Sequence, residues 1–186
     1  MKIFIFFALF LTLPAIAPAT DYQGSCTVAF EGSSTLHDFN GKGSCEPFLV
    51  SENAGVIIVP ELTVAVSDMD TDNSRRDKKM RKMFEIEKYP LIKGTSGPVS
   101  LGAIRKTLEE NIDSAPSHLF QLKIRDIEKP VTAILQNIEE MDDKITADVA
   151  FTLSLADYKL KPPSVFGIIR VGDTIKVTTS FLLEAY

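Results

Sequence analysis

Tryptophan is absent from this chain, and histidine and cysteine occur only twice each. Without tryptophan, and with the other aromatics scattered, a stacking platform for sugars or bases has no support. His37 and His118 are too few for a zinc site of three or four ligands, and no CxxC accompanies Cys26 and Cys45. No GxSxG elbow, GxGxxG fingerprint or P-loop occurs. The acidic pairs Glu109-Glu110 and Glu139-Glu140 fall in charged segments that read as solvated faces. His37 stands beside Asp38, but neighbours on a strand point to opposite faces, so the two do not form a relay. Neither an enzyme nor a bound cofactor is expected. Lysine and arginine number 20 against 25 acidic residues, a net charge of −5, and no basic stripe with interleaved aromatics appears. Nucleic acid is therefore excluded as a partner.

Long apolar runs are also scarce after the first 13 residues; Val56 to Val59 is cut by Pro60 and Glu61. Residues 1–19, MKIFIFFALFLTLPAIAPA, are the exception. Lys2, the apolar run Ile3 to Leu13, and the small residues ending in Ala17-Pro18-Ala19 follow the n-region, h-region and cleavage-site order of a secretory signal. Pro14 interrupts the run before it could span a bilayer as an anchor. Cleavage near Ala19 leaves one domain, residues 20–186, in the periplasm or the medium, and loss of Lys2 takes the charge to −6. Export makes a Cys26–Cys45 disulfide the default over two free thiols.

What the chain has in quantity is period-two alternation. Ile145, Ala147, Val149, Phe151, Leu153 and Leu155 alternate with smaller or polar residues, and Ile175, Val177, Thr179, Phe181 and Leu183 repeat the pattern. These read as two half-buried strands. Their connection, Tyr158 to Asp173, is unusually apolar and must cover a core or rim a ligand mouth. Further strands are expected at Cys26–Phe30, with breaks at Gly32-Ser33-Ser34 and at Gly41-Lys42-Gly43. Another runs over Gly55–Ser67, with Leu62, Val64 and Val66 on one face. Phe120 to Ile124, a turn at Asp126–Pro130, Val131 to Gln136 and a hairpin turn at Met141–Lys144 complete an antiparallel meander.

Asp72-Asn73-Ser74 offers an N-cap to a helix over Arg75–Glu85, with Met80, Met83 and Phe84 apolar and six basic residues solvated; a short helix is also expected at Ile104–Ile112. The basic face reads as a solvated surface, or as a handle for an anionic head group or membrane surface. An antiparallel sheet of about eight strands with apolar inward faces closes on a second sheet or on itself, and an eight-stranded barrel can hold one small elongated ligand. Pattern alone leaves the filled core and the cavity equal.

The residues also resemble a known family, the YceI-like polyisoprenoid-binding proteins. The resemblance is carried by Phe30 with Ser34-Thr35-Leu36-His37-Asp38-Phe39-Asn40-Gly41, and by Arg76-Asp77-Lys78-Lys79-Met80 leading to Phe84 and Glu87-Lys88-Tyr89-Pro90-Leu91-Ile92. It continues in Glu128-Lys129-Pro130-Val131, in Phe151-Thr152-Leu153-Ser154 with Pro162-Pro163, and in Val171-Gly172-Asp173. Asp126 stands where the family's turn usually has glycine. The resemblance implies a mainly β, lipocalin-like, antiparallel eight-stranded barrel with one or two short helices. It also implies a periplasmic protein holding an isoprenoid, a quinone or another fatty-chain lipid, for transport or storage. The inward apolar positions it assigns to the ligand are Val64 and Val66, Met80, Met83 and Phe84 on the helix, Phe120 and Leu122, Phe151 and Leu153, Phe166 and Ile169 in the connection, and Val177 and Phe181. The expected partners are this lipid and, transiently, a membrane; a homodimer is left open. Two rivals stand beside this reading. One is a structural or interaction protein with a filled barrel. The other is a lipid-acting enzyme, which requires His37 or His118 to face the cavity near a carboxylate or hydroxyl.

Overall fold

The computed structural model describes residues 20–109, 115–162 and 171–186. Eleven strands form one antiparallel sheet: β1 (Thr20–Ser34), β2 (Phe39–Ser44), β3 (Phe48–Asn53), β4 (Val56–Ile58), β5 (Leu62–Ala65), β6 (Leu91–Ser96), β7 (Val99–Ser100), β8 (Ser117–Ile124), β9 (Ile127–Met141), β10 (Lys144–Ser154) and β11 (Val171–Ala185). Two helices interrupt it, α1 (Ser74–Phe84) and α2 (Leu101–Glu109). The strand order is β5-β6-β8-β9-β10-β11-β1-β3-β4-β7, with β2 also paired to β1.

The sheet curls because β1 serves two neighbours. Its first residues, Thr20 to Gly24, pair with β3, and Thr27 to Gly32 pair with β2. Just beyond β2, Cys45 meets Val64 of β5 through an isolated bridge, and Lys42 of β2 meets Asp70, past the end of β5, through another. These bridges draw the β5 edge back toward β2, so β1, β2, β5, β6, β8, β9, β10 and β11 curl into a half-barrel, while β3, β4 and β7 extend the sheet at one end. The Cys26–Cys45 disulfide, with Cα atoms 5.3 Å apart, fastens β1 to the residue that bridges β5.

The glycines expected to break strands lie inside them. Gly41 pairs with Phe30 and Gly32 with Phe39. A Cβ at Gly41 would fall inside the Phe30 ring, so the missing side chain is what lets the aromatic lie across the neighbouring strand. The Asp126–Pro130 turn is likewise shorter than expected. Ile124 pairs with Ile127, leaving the two-residue turn Arg125-Asp126 with Arg125 at φ 58°, and Glu128 to Pro130 pair along β9. Arg125 also closes an ion pair with Glu85 at 2.6 Å.

Helix α1 starts as its cap predicts: the Asn73 side chain accepts from the Arg75 and Arg76 amides, each at 3.1 Å. It ends where Glu85 turns left-handed (φ 54°) and the Ile86 amide returns to the Arg81 carbonyl. Asp77 is buried, its carboxylate accepting from the Thr71 amide at 3.1 Å and hydroxyl at 2.6 Å, which ties α1 to the segment before it. Helix α2 begins at Leu101, three residues earlier than expected, with the Ser100 hydroxyl accepting from Ala103. The remainder of the expected segment, from residue 110, lies outside the described residues.

Apolar side chains gather in two layers. One holds Phe30, Met80, Phe84, Ile124, Leu155, Tyr158 and Ile175 around α1; the other holds Tyr22, Cys26, Cys45, Phe48, Val50, Leu101 and Leu183 around α2. Val28 and Val64 touch both.

Candidate functional site: an apolar cavity with one cationic edge

Between and through these layers runs a cavity of about 600 Å³, within the range of roughly 300–1,000 Å³ usual for sites that enclose a small molecule. Its walls follow from strand alternation. Ile145, Ala147, Val149, Phe151, Leu153 and Leu155 of the β10 stretch all line it, as do Ile175, Val177, Thr179, Phe181 and Leu183 of β11. The period-two pattern read from the sequence is thus the pattern of the cavity wall. Two edge-to-face aromatic pairs cross it at different heights: Phe120–Phe151, with centroids 5.2 Å apart, and Phe48–Phe181 at 6.4 Å.

Of the positions assigned to the ligand, Val64, Met80, Met83, Phe84, Phe120, Leu122, Phe151, Leu153, Val177 and Phe181 line this cavity. Val66 does not. The chain leaves the strand at Ala65, Val66 opens a 3₁₀ turn with its amide on the Pro90 carbonyl, and its side chain is fully enclosed in the core. Phe166 and Ile169 lie outside the described residues, as do residues 1–19. At the described ends of the same connection, Leu160 and Pro162 face the cavity.

Sequence reasoning passed over several lining residues. Phe30, Phe48 and Val50 have inward alternation that was legible. No periodic signal marked the polar ones. Ser96 and His118 both line the cavity, half-buried, with Oγ and Nε2 2.6 Å apart, because Ser96 pairs with Phe120 and His118 lies two residues before it on the same face. One histidine therefore does face the cavity beside a hydroxyl. Among the described residues no carboxylate is hydrogen-bonded to it, and the pair can offer a ligand hydrogen bonds. His37 is exposed at the edge, in the β1–β2 loop that the Ser34 hydroxyl closes by donating to the His37 carbonyl at 2.7 Å. Arg75, Arg76 and Lys79 of α1 complete that edge.

A family model described as YceI-like domain matches residues 19–183. No curated protein matches the chain. Among solved structures, the fold resembles a polyisoprenoid binding domain from Saccharophagus degradans implicated in plant cell wall breakdown (17% identity over 89% of this chain and 98% of that one, TM-score 0.64). It also resembles BcnA of Burkholderia cenocepacia (12% identity, 84% and 95% covered, TM-score 0.61) and the YCEI protein of Campylobacter jejuni (13%, 100% and 93%, TM-score 0.50).

Proposed function

Because the chain belongs to the YceI-like domain family, we propose that it is an exported, periplasmic binding protein that holds one long-chain lipid, an isoprenoid, quinone or fatty chain, inside the curled sheet. The observation that carries this reading is the continuous apolar lining of a cavity of about 600 Å³, supplied by successive inward residues of at least four strands. The neighbour described as a polyisoprenoid binding domain supports an isoprenoid as the first ligand to try. The leader-like residues 1–19 and the disulfide support export.

The energetics suit a carrier. Each methylene moved from water into the cavity gains about 0.8 kcal/mol, and leaving a bilayer forfeits nearly the same amount. Exchange with a membrane at transient contact is then close to balanced, while release into water is not. No catalytic step is needed.

Native mass spectrometry of the protein lacking residues 1–19, followed by organic extraction, tests the reading: a stoichiometric lipid is expected. Two variants locate it. Phe151→Asp places a charge in the wall and abolishes uptake, and Ala147→Trp, which adds bulk opposite Phe181, lowers it while keeping the fold. Folded variants that both carry lipid as the parent does would refute the site; clean protein that refuses added lipid would favour a filled interior and a protein partner.

A further inference from the structure

The lipid-holding reading leaves the head group unnamed, and the charges around the cavity address it. Arg75, Arg76 and Lys79 are the charged side chains of its lining, and no aspartate or glutamate lines it among the described residues. This is notable in a chain with 25 acidic residues against 20 basic. Arg75 and Lys79 stand one helical turn apart on α1 and so share a face; both are exposed. The Arg76 guanidinium lies 5.2 Å from the centre of the Phe39 ring, which sets it against the loop that carries His37. None of the three forms an ion pair among the described residues.

Several acids of this region are engaged elsewhere, while Asp38 beside His37 and Asp72 beside the cap Asn73 are exposed. Asp77, the one carboxylate on α1, is buried against Thr71. Asp70 accepts from the Asp72 amide, Asp68 from the Ser67 hydroxyl, and Glu85 pairs with Arg125. Arg81, on another face of the helix, is bound to the Ser67 carbonyl and does not line the cavity. What remains is a cationic edge on an apolar chamber, in a protein of opposite net charge. Low-dielectric walls on one side strengthen its attraction for an anion, and guanidinium forks match the paired oxygens of phosphate or carboxylate.

We propose that the ligand is a single-chain lipid with an anionic head, a phosphate or carboxylate, seated at Arg75, Arg76 and Lys79. Its chain runs inward past Phe120 and Phe151 toward Phe48 and Phe181. This rests on the lipid-holding reading and adds the head-group class and the orientation of the chain.

The test compares geranylgeranyl monophosphate, geranylgeraniol and inorganic phosphate as ligands of the full mature protein by calorimetry. The monophosphate is expected to bind at least about tenfold more tightly than the alcohol of the same chain, with the advantage shrinking as salt rises. In Arg75→Gln/Lys79→Gln, and further in the triple variant with Arg76→Gln, the difference between the two lipids vanishes while thermal melting shows an intact fold. The double variant leaves the Arg76–Phe39 contact in place should the triple fail to fold. Equal affinity of both lipids for the parent protein, or a preference that survives in the double variant, would overturn the head-group assignment and leave lipid binding standing. Inorganic phosphate binding as tightly as the monophosphate lipid would also overturn it, by making the edge an anion site independent of the cavity. Refusal of both lipids would remove the lipid-holding reading itself.

Discussion

Tyr158 is 2% exposed, and its hydroxyl has no hydrogen-bond partner among the described residues. A buried hydroxyl without a partner gives up its water and gains nothing back. Burial, aided by the neighbouring Asp157 charge, pushes the phenol up from 10.0 to about 12. The folded state therefore keeps its proton where the unfolded chain has begun to lose it. That contribution is complete below pH 10 and drains away as the pH climbs toward about 12. Tyr158→Phe is expected to leave neutral-pH stability unchanged or raise it by up to about 1 kcal/mol, and to flatten the alkaline decline. Urea midpoints of parent and variant at neutral pH and across the alkaline range check both; a loss of several kcal/mol at neutral pH would mean that the hydroxyl is bonded.

At the scale of elements, the wall is held by side chains on its outer face as well as by its ladders. Asp148 on β10 accepts from Asn137 of β9 at 2.8 Å and from Ser180 of β11 at 2.6 Å, clipping three strands where β9 is irregular. Asn137 is left-handed there, at φ 49°. The two donors, Ser180 first, hold the Asp148 carboxyl below the usual carboxylate range. A lowered folded value means that this stabilisation is present above the unfolded carboxylate value and lost as pH falls through the folded one. Asp148→Ala should cost about 1 kcal/mol at neutral pH, two charge-assisted hydrogen bonds discounted for exposure, and the cost should fade in acid. Equal destabilisation at neutral and acid pH, read from denaturant midpoints, would show that the clip acts through packing rather than charge.

At the scale of the molecule, the line between the β2 region and the β5 region carries no ladder, only the isolated bridges Lys42–Asp70 and Cys45–Val64 and the Glu46 amide on the Thr63 carbonyl. The Cys26–Cys45 disulfide is set beside it. A loop closed over a sequence separation of 19 is worth about 3 kcal/mol in the chain-entropy account. Cys26→Ser with Cys45→Ser is therefore expected to lower stability by roughly that amount, and to speed release of a bound lipid because the wall parts first at this line. Melting temperature and the off-rate of a fluorescent lipid check the two effects separately. An unchanged off-rate in the destabilised variant would place the ligand's exit elsewhere, at the α1 edge.

The residues by themselves determined what depends on local sterics. Successive side chains of a strand must point to opposite faces, so the inward rows Ile145 to Leu155 and Ile175 to Leu183 were legible before any pairing was known. Asn73 as the cap of α1 and the Asp142-Asp143 hairpin turn are equally local. Only tertiary structure decided what depends on register between distant segments. Gly41 sits within a strand because Phe30 lies across from it. Val66 is core because the chain turns after Ala65 and docks on Pro90. Ser96 meets His118 across 22 residues, and α1 turns three of its six basic side chains to a cavity whose walls come from the other end of the sequence. Alternation tells which way a residue points along its own strand; what it then faces is set by hydrogen-bonded neighbours that no local pattern names.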